Sequence, residues 1–83
     1  MNNRKLLAKV SAGKGNVKFR DVSKLAEAFG FRLDRVSGSH HIFVHANVPE
    51  LLNLQNVGGN AKVYQVRQLL SLVEKYGLKM ENK

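Results

Sequence analysis

No cysteine occurs in this sequence of 83 residues, so neither a disulfide staple nor a thiolate metal site is open to it. A chain this short buries only about 60% of the surface its unfolded state exposes, and one hydrophobic core has to hold it. Apolar residues at 43% and charged residues at 24% fit a single soluble globular domain. No apolar run approaches the ~18 residues of a membrane span. The basic start at Arg4 and Lys5 lacks the apolar stretch of a signal peptide, and the chain reads as cytoplasmic.

The core can be traced through changes of hydrophobic period. Leu6, Leu7 and Val10 mark a short amphipathic helix or arm over residues 3 to 11, and Ala12-Gly13-Lys14-Gly15-Asn16 breaks it. Val17 to Phe19 reads as a brief extended link. Asp21 is placed to cap the next helix, in which Val22, Leu25, Ala26 and Phe29 fall at i, i+3, i+4 and i+7. Gly30 ends that helix as a left-handed cap.

The period then shortens to two. Phe31 to Val36 alternates Leu33 against Arg32 and Asp34, which predicts a strand with one face covered. Ser37-Gly38-Ser39 makes a tight connection to a second strand, His40 to His45. On it His40, Ile42 and Val44 share one face and His41, Phe43 and His45 the other, and either face can be the buried one. Ala46 to Glu50 reads as a hairpin connection, and Leu51 to Gln55 as a third strand with Leu52 and Leu54 opposite Asn53 and Gln55. Asn56 to Asn60 is a glycine-bearing loop. A long helix begins at Ala61 or Lys62, with Val63, Val66, Leu69, Leu70 and Val73 on one side and Gly77 closing it. This order predicts a two-layer α+β domain: a three-stranded antiparallel sheet with helices on one face, plus the short N-terminal element.

Charge narrows the function classes. Fourteen Lys and Arg against six Asp and Glu leave a net charge of +8, large enough to attract a polyanion or an acidic protein. Residues 36 to 61 contain no Lys or Arg, so the histidine segment is a neutral patch between cationic flanks that can hold a phosphate backbone. Imidazole is the only side chain with an unperturbed pKa between pH 5 and 8, which makes Gly38-Ser39-His40-His41 the candidate reactive segment.

A metal centre does not follow. His40 and His41 point to opposite sides of a strand, and His41 and His45 lie about 13 Å apart along it. The carboxylates, at Asp21, Glu27, Asp34, Glu50, Glu74 and Glu81, are dispersed. Ser39 and His40 also diverge, so a serine nucleophile is disfavoured and Ser39 suits a turn role. General acid or base chemistry by His40 or His41 remains, and RNA fits it without a metal or other cofactor, because the 2′-hydroxyl is a built-in nucleophile. Against this stands the plainer alternative of a packing or interface histidine. Gly58-Gly59-Asn60-Ala61-Lys62 similarly offers either a phosphate site at a helix N-terminus or an ordinary loop.

Over residues 20 to 78 the sequence resembles the HicA toxin family of toxin–antitoxin systems. The resemblance rests on the helix ending in Phe29-Gly30-Phe31, on Gly38-Ser39-His40 with Phe43 three residues on, and on the close at Tyr76-Gly77-Leu78. It implies a fold like a double-stranded-RNA-binding domain (α-β-β-β-α) and a ribosome-independent mRNA-cleaving activity, an mRNA interferase of the kind associated with stress response. It also implies that His40, not His41, is the essential residue, with Gly38, Ser39 and His41 in support, and that a HicB-type antitoxin masks the site. Many members carry a Pro-x-His segment near the third strand. Here Leu51 to Gly59 lacks that histidine, so no role for one transfers.

Residues 1 to 19 extend beyond the compact family core and residues 79 to 83 form a tail. The expected function is a metal-independent endoribonuclease toxin, a monomer or weak dimer when free and without a membrane partner. Lys18, Arg20, Lys24, Lys62 and Arg67 are the candidates for phosphate contacts. The alternative function is a non-catalytic RNA-binding module, which would bind in a salt-sensitive way that His40→Ala leaves intact. A third is an interaction protein whose charge serves an acidic antitoxin.

Overall fold

The computed structural model describes residues 2 to 13 and 17 to 80. Its elements run α1 (Asn3–Ala12), α2 (Phe19–Ala28), β1 (Arg32–Ser37), β2 (His40–His45), β3 (Val48–Gln55) and α3 (Val63–Lys75). The three strands form one antiparallel sheet in the order β1-β2-β3. From α2 onward the order is the α-β-β-β-α expected from the sequence.

The apolar stripe of α2 is buried as its spacing predicts: Val22, Leu25, Ala26 and Phe29 all join the core. From the sheet come Phe43, Val48, Leu52 and Leu54, and from α3 come Val66, Leu69 and Leu72. Val63, Leu70 and Val73 are only partly covered. Helix α1 packs on α2 and adds Leu6 and Val10 to the same core. The predicted break after it is met at Gly13, while Lys14, Gly15 and Asn16 lie outside the described residues.

Three local expectations are corrected. Asp21 does not cap α2; Lys18 occupies the N-cap position and gives no side-chain hydrogen bond. Asp21 lies in the first turn, where a carboxylate favours the helix dipole, and its Oδ2 is 3.0 Å from Nζ of Lys9 on α1. That is ion-pair distance without the angles of a hydrogen bond. Strand β1 is exposed along its whole length instead of covered on one face. Leu33 pairs with Phe43 and Val36 with His41 on the helix side, yet they remain 45% and 52% exposed. Among the described residues no helix buries this edge, and its register shifts between Leu33 and Arg35. The β2–β3 connection is shorter than expected: β3 begins at Val48 and includes Pro49. Proline is tolerated because β3 is the opposite edge of the sheet, where a missing N–H breaks no ladder bond.

Both core helices stop at glycines. Gly30 N–H bonds Glu27 O and Phe31 N–H bonds Ala26 O; Gly77 and Leu78 repeat the pattern on Glu74 and Val73. This is the Schellman arrangement, which needs a left-handed residue. Gly30 (φ +96°) is the more demanding, since a Cβ there would lie 2.8 Å from Nε2 of His45. At Gly77 (φ +60°) a Cβ meets nothing within 4 Å. The C-terminus of α3 is tied to β3 through Glu50, which accepts hydrogen bonds from the Tyr76 hydroxyl and from Nζ of Lys75, the latter at 2.9 Å.

Gly77→Ala should cost about 1–2 kcal/mol, the left-handed penalty alone. Gly30→Ala should cost clearly more, because His45 must also move; denaturant melts of the two variants decide this, and equal losses would refute it. A second expectation concerns pH. The Tyr76 hydroxyl, then Lys75, holds the Glu50 carboxyl below its ordinary value, so this contribution is present at neutral pH and is lost as pH falls through that lowered value. Hydrogen bonding to Glu50 raises Lys75 and Tyr76, so their contribution is lost as pH rises through their raised values. Thermal melts of Glu50→Gln should show a small deficit at pH 7 that closes in acid.

Candidate nucleic-acid and proton-transfer site

Burial of Phe43, Leu52 and Leu54 decides the question that strand alternation leaves open. His41 pairs with Leu54 and Phe43 with Leu52 on the helix side, which sends His40, paired with Gln55, to the open face. His40 is exposed and is the first residue after the turn. Gly38 has φ +59°, and Ser39 has no positive φ, the pattern of a two-residue type II′ hairpin loop. Ser37 pairs with His40 across that loop, so the tight turn fixes where the imidazole starts.

The imidazole leans over β3. Its Nδ1 faces the side-chain amide of Asn53, 3.0 Å from Nδ2 and 3.2 Å from Oδ1. The amide can serve either ring state: its NH₂ donates to an unprotonated Nδ1, or its oxygen accepts from Nδ1–H. In the sequence Asn53 is only a polar residue alternating with Leu52 and Leu54. Its role depends on the diagonal neighbour that strand register supplies.

The other two histidines are held differently. His41 Nδ1–H donates to Ser39 O at 3.1 Å, and its ring packs against Phe19 at 4.6 Å between centroids. The same carbonyl accepts from Asn56 N–H at 3.0 Å, so two donors fix the residue preceding His40. His45 accepts from Asn47 N–H at Nδ1 and donates from Nε2 to Phe29 O, both at 3.0 Å. It joins the end of α2 to the β2–β3 turn as a structural residue.

Beside His40, Gln55 is clamped by Gln65, whose Oε1 accepts from Gln55 N–H at 2.7 Å and whose Nε2 donates to Gln55 Oε1 at 2.9 Å. The Tyr64 hydroxyl also reaches Gln55 Oε1, at 3.4 Å, and Tyr64 is 62% exposed. Neither Gln65 nor Tyr64 stood out in the sequence. Gln65 is a polar residue inside an apolar helical stripe, and that break in pattern is the signal that could have found it.

The cationic candidates separate into groups. Lys18 and Arg20 line a shallow recess of about 300 Å³ with Phe19, Asn56 and Gly59. Phe19 touches His41 and Asn56 bonds Ser39, so this recess adjoins the Gly38-Ser39-His40 turn. Lys24 lies one turn further along α2, exposed. Lys62 is the N-cap residue of α3, two residues after Asn60, which bridges to Lys18. Arg67 is elsewhere: it borders a cleft of about 500 Å³ between α1 and α3, with Val10, Val17, Val66 and Leu70. Among the described residues no three His, Asp or Glu side chains gather where they could hold a metal ion, and no helix is long and apolar enough to cross a membrane.

The site is thus an exposed histidine after a Gly-Ser turn on a helix-backed three-stranded sheet. The family model of the HicA toxin of bacterial toxin–antitoxin systems matches residues 19–78, and the chain belongs to that family. Comparison with curated proteins and with solved structures found no match.

The hydrogen bonds fix two ring tautomers, which nitrogen-15 shifts of the neutral rings should report: His41 as the Nδ1–H form and His45 as the Nε2–H form. Finding the opposite tautomer at either residue would refute the arrangement.

Proposed function

We propose that the protein is the endoribonuclease toxin of a toxin–antitoxin pair, in which His40 is the general acid or base and no metal is required. The observation that carries this reading is the exposed imidazole of His40 on the open sheet face, with Nδ1 against the Asn53 amide. Membership in the HicA toxin family supports it.

RNA supplies its own nucleophile. Removal of the 2′-hydroxyl proton lets that oxygen attack the adjacent phosphorus, and the 5′-oxygen leaves as it takes up a proton. The products are a 2′,3′-cyclic phosphate and a 5′-hydroxyl, so atoms and charge balance without an external nucleophile. With Asn53 Oδ1 accepting from Nδ1–H, the ring keeps that partner whether neutral or protonated, and Nε2 is the nitrogen left to take or give the proton exchanged with RNA. Lys18 and Arg20, beside the same turn, are suited to hold the phosphate backbone, with Lys24 and Lys62 extending the cationic surface and Arg67 serving more distantly. Gly38, Ser39 and His41 fix the backbone from which His40 projects. A HicB-type antitoxin, docking over this face, would neutralise the activity.

Purified protein should cut a long unstructured RNA in EDTA, and His40→Ala should abolish cutting while binding persists. His41→Ala should reduce cutting less. Equal binding with no cutting by wild type would instead make this a non-catalytic RNA-binding module. Replacing Lys18 and Arg20 together by Ala should weaken binding and flatten the log–log salt dependence by roughly 1.4, as expected for two lost single-strand phosphate contacts.

A further inference from the structure

Gln65 is a neutral polar side chain only 1% exposed, and the proton chemistry of His40 makes no use of it. Burying an amide is unfavourable unless its groups are paired, and here Oε1 and Nε2 both pair with Gln55, at 2.7 and 2.9 Å, with Nε2 also donating to the Tyr64 hydroxyl at 3.3 Å. The orientation is not arbitrary. The group 2.7 Å from Gln65 is the backbone N–H of Gln55, which can only donate, so the Gln65 atom facing it is the oxygen. The other Gln65 atom is then the NH₂, and the Gln55 atom it meets at 2.9 Å is an oxygen. One backbone amide thus fixes both side chains in sequence.

The consequence lies at Gln55 Nε2. Its two hydrogens have no hydrogen-bond partner among the described residues, and the nitrogen is not sealed from solvent. Gln55 sits directly across the strand pair from His40 and shares the open face with Asn53. A surface glutamine can ordinarily rotate to present either end. This one is held with its oxygen turned toward α3 and its donor free, on the residue that pairs with His40 across the strands.

We infer that Gln55 Nε2 donates a hydrogen bond to an acceptor oxygen of bound RNA next to the reacting phosphate, and that Gln65 is the positioning residue that keeps the donor facing outward. The inference rests on RNA being the substrate of the His40 site. The acceptor is a phosphate oxygen or a base carbonyl, two sources of the same chemistry on one strand. The exposed ring of Tyr64, whose hydroxyl meets Gln55, offers a stacking surface of the kind single-stranded RNA uses.

Gln65→Glu is the decisive variant. Its carboxylate still accepts from Gln55 N–H but cannot donate, so the Gln55 amide must turn its NH₂ inward and its oxygen outward. The probe is a short single strand of 2′-O-methyl uridines, which cannot be cut, followed through the Gln55 side-chain amide signals in NMR. In wild type those signals should shift on binding. In Gln65→Glu the shift should vanish and RNA cutting should fall about tenfold or more, the loss expected for one hydrogen bond to a charged group, while burial of the new carboxylate lowers the melting temperature. Gln55→Ala should show the same loss of cutting and covers the case in which Gln65→Glu fails to fold.

A strand lacking bases separates the sources: a persisting shift assigns the phosphate and a lost one the base carbonyl, and either supports the inference. Gln55 signals unmoved while the oligonucleotide perturbs other residues would overturn it, as would undiminished cutting by Gln55→Ala. A shift at Gln55 in a wild-type protein that never cuts RNA would defeat the nuclease reading and leave the donor assignment standing. Failure to bind the strand at all would overturn both.

Discussion

The structure depends on the covering of one face of β2 and β3 by α2 and α3. Phe43, Leu52 and Leu54 are buried beneath the helices, and strand alternation then leaves no freedom for their neighbours. His40, Asn53 and Gln55 must face outward together. Slipping the register by one residue would exchange the two sets, putting the imidazole under the helices and Phe43 in water. Core packing and the composition of the candidate site are therefore one constraint.

The second layer of organisation is polar. Each of the three histidines is oriented by a different kind of partner: a side-chain amide for His40, a turn carbonyl for His41, and a helix-end carbonyl with a turn N–H for His45. Only His40 keeps its ring on the open face of the sheet. The buried Gln65 joins α3 to the end of β3 at the same place, so the helix that completes the core also braces the strand opposite His40.

Much of this was legible because it is local. The stripe Val22, Leu25, Ala26 and Phe29, the glycine stops at Gly30 and Gly77, and the alternation through His40 to His45 each follow from a period or a backbone requirement within a few residues. Misreadings arose where a distant partner decided. Asp21 resembled a cap, but Lys9 on another helix engages it. Leu33 looked buried by alternation, yet among the described residues no helix buries β1. Pro49 signalled a turn, and its tolerance in β3 required knowing that β3 is an edge.

By itself the sequence determined the element order, the tight Gly38-Ser39 turn, the cationic surplus and the candidacy of His40, since propensity, period and composition are properties of neighbouring residues. Only the tertiary structure decided which face of β2 is buried, that Asn53 meets the His40 ring, that Lys18 and Arg20 adjoin the turn while Arg67 does not, and that Gln65 holds Gln55. These are pairings between residues ten or more positions apart. Their partners are selected by cross-strand register and by which apolar surfaces exclude water together, and neither is written in a single stretch of chain.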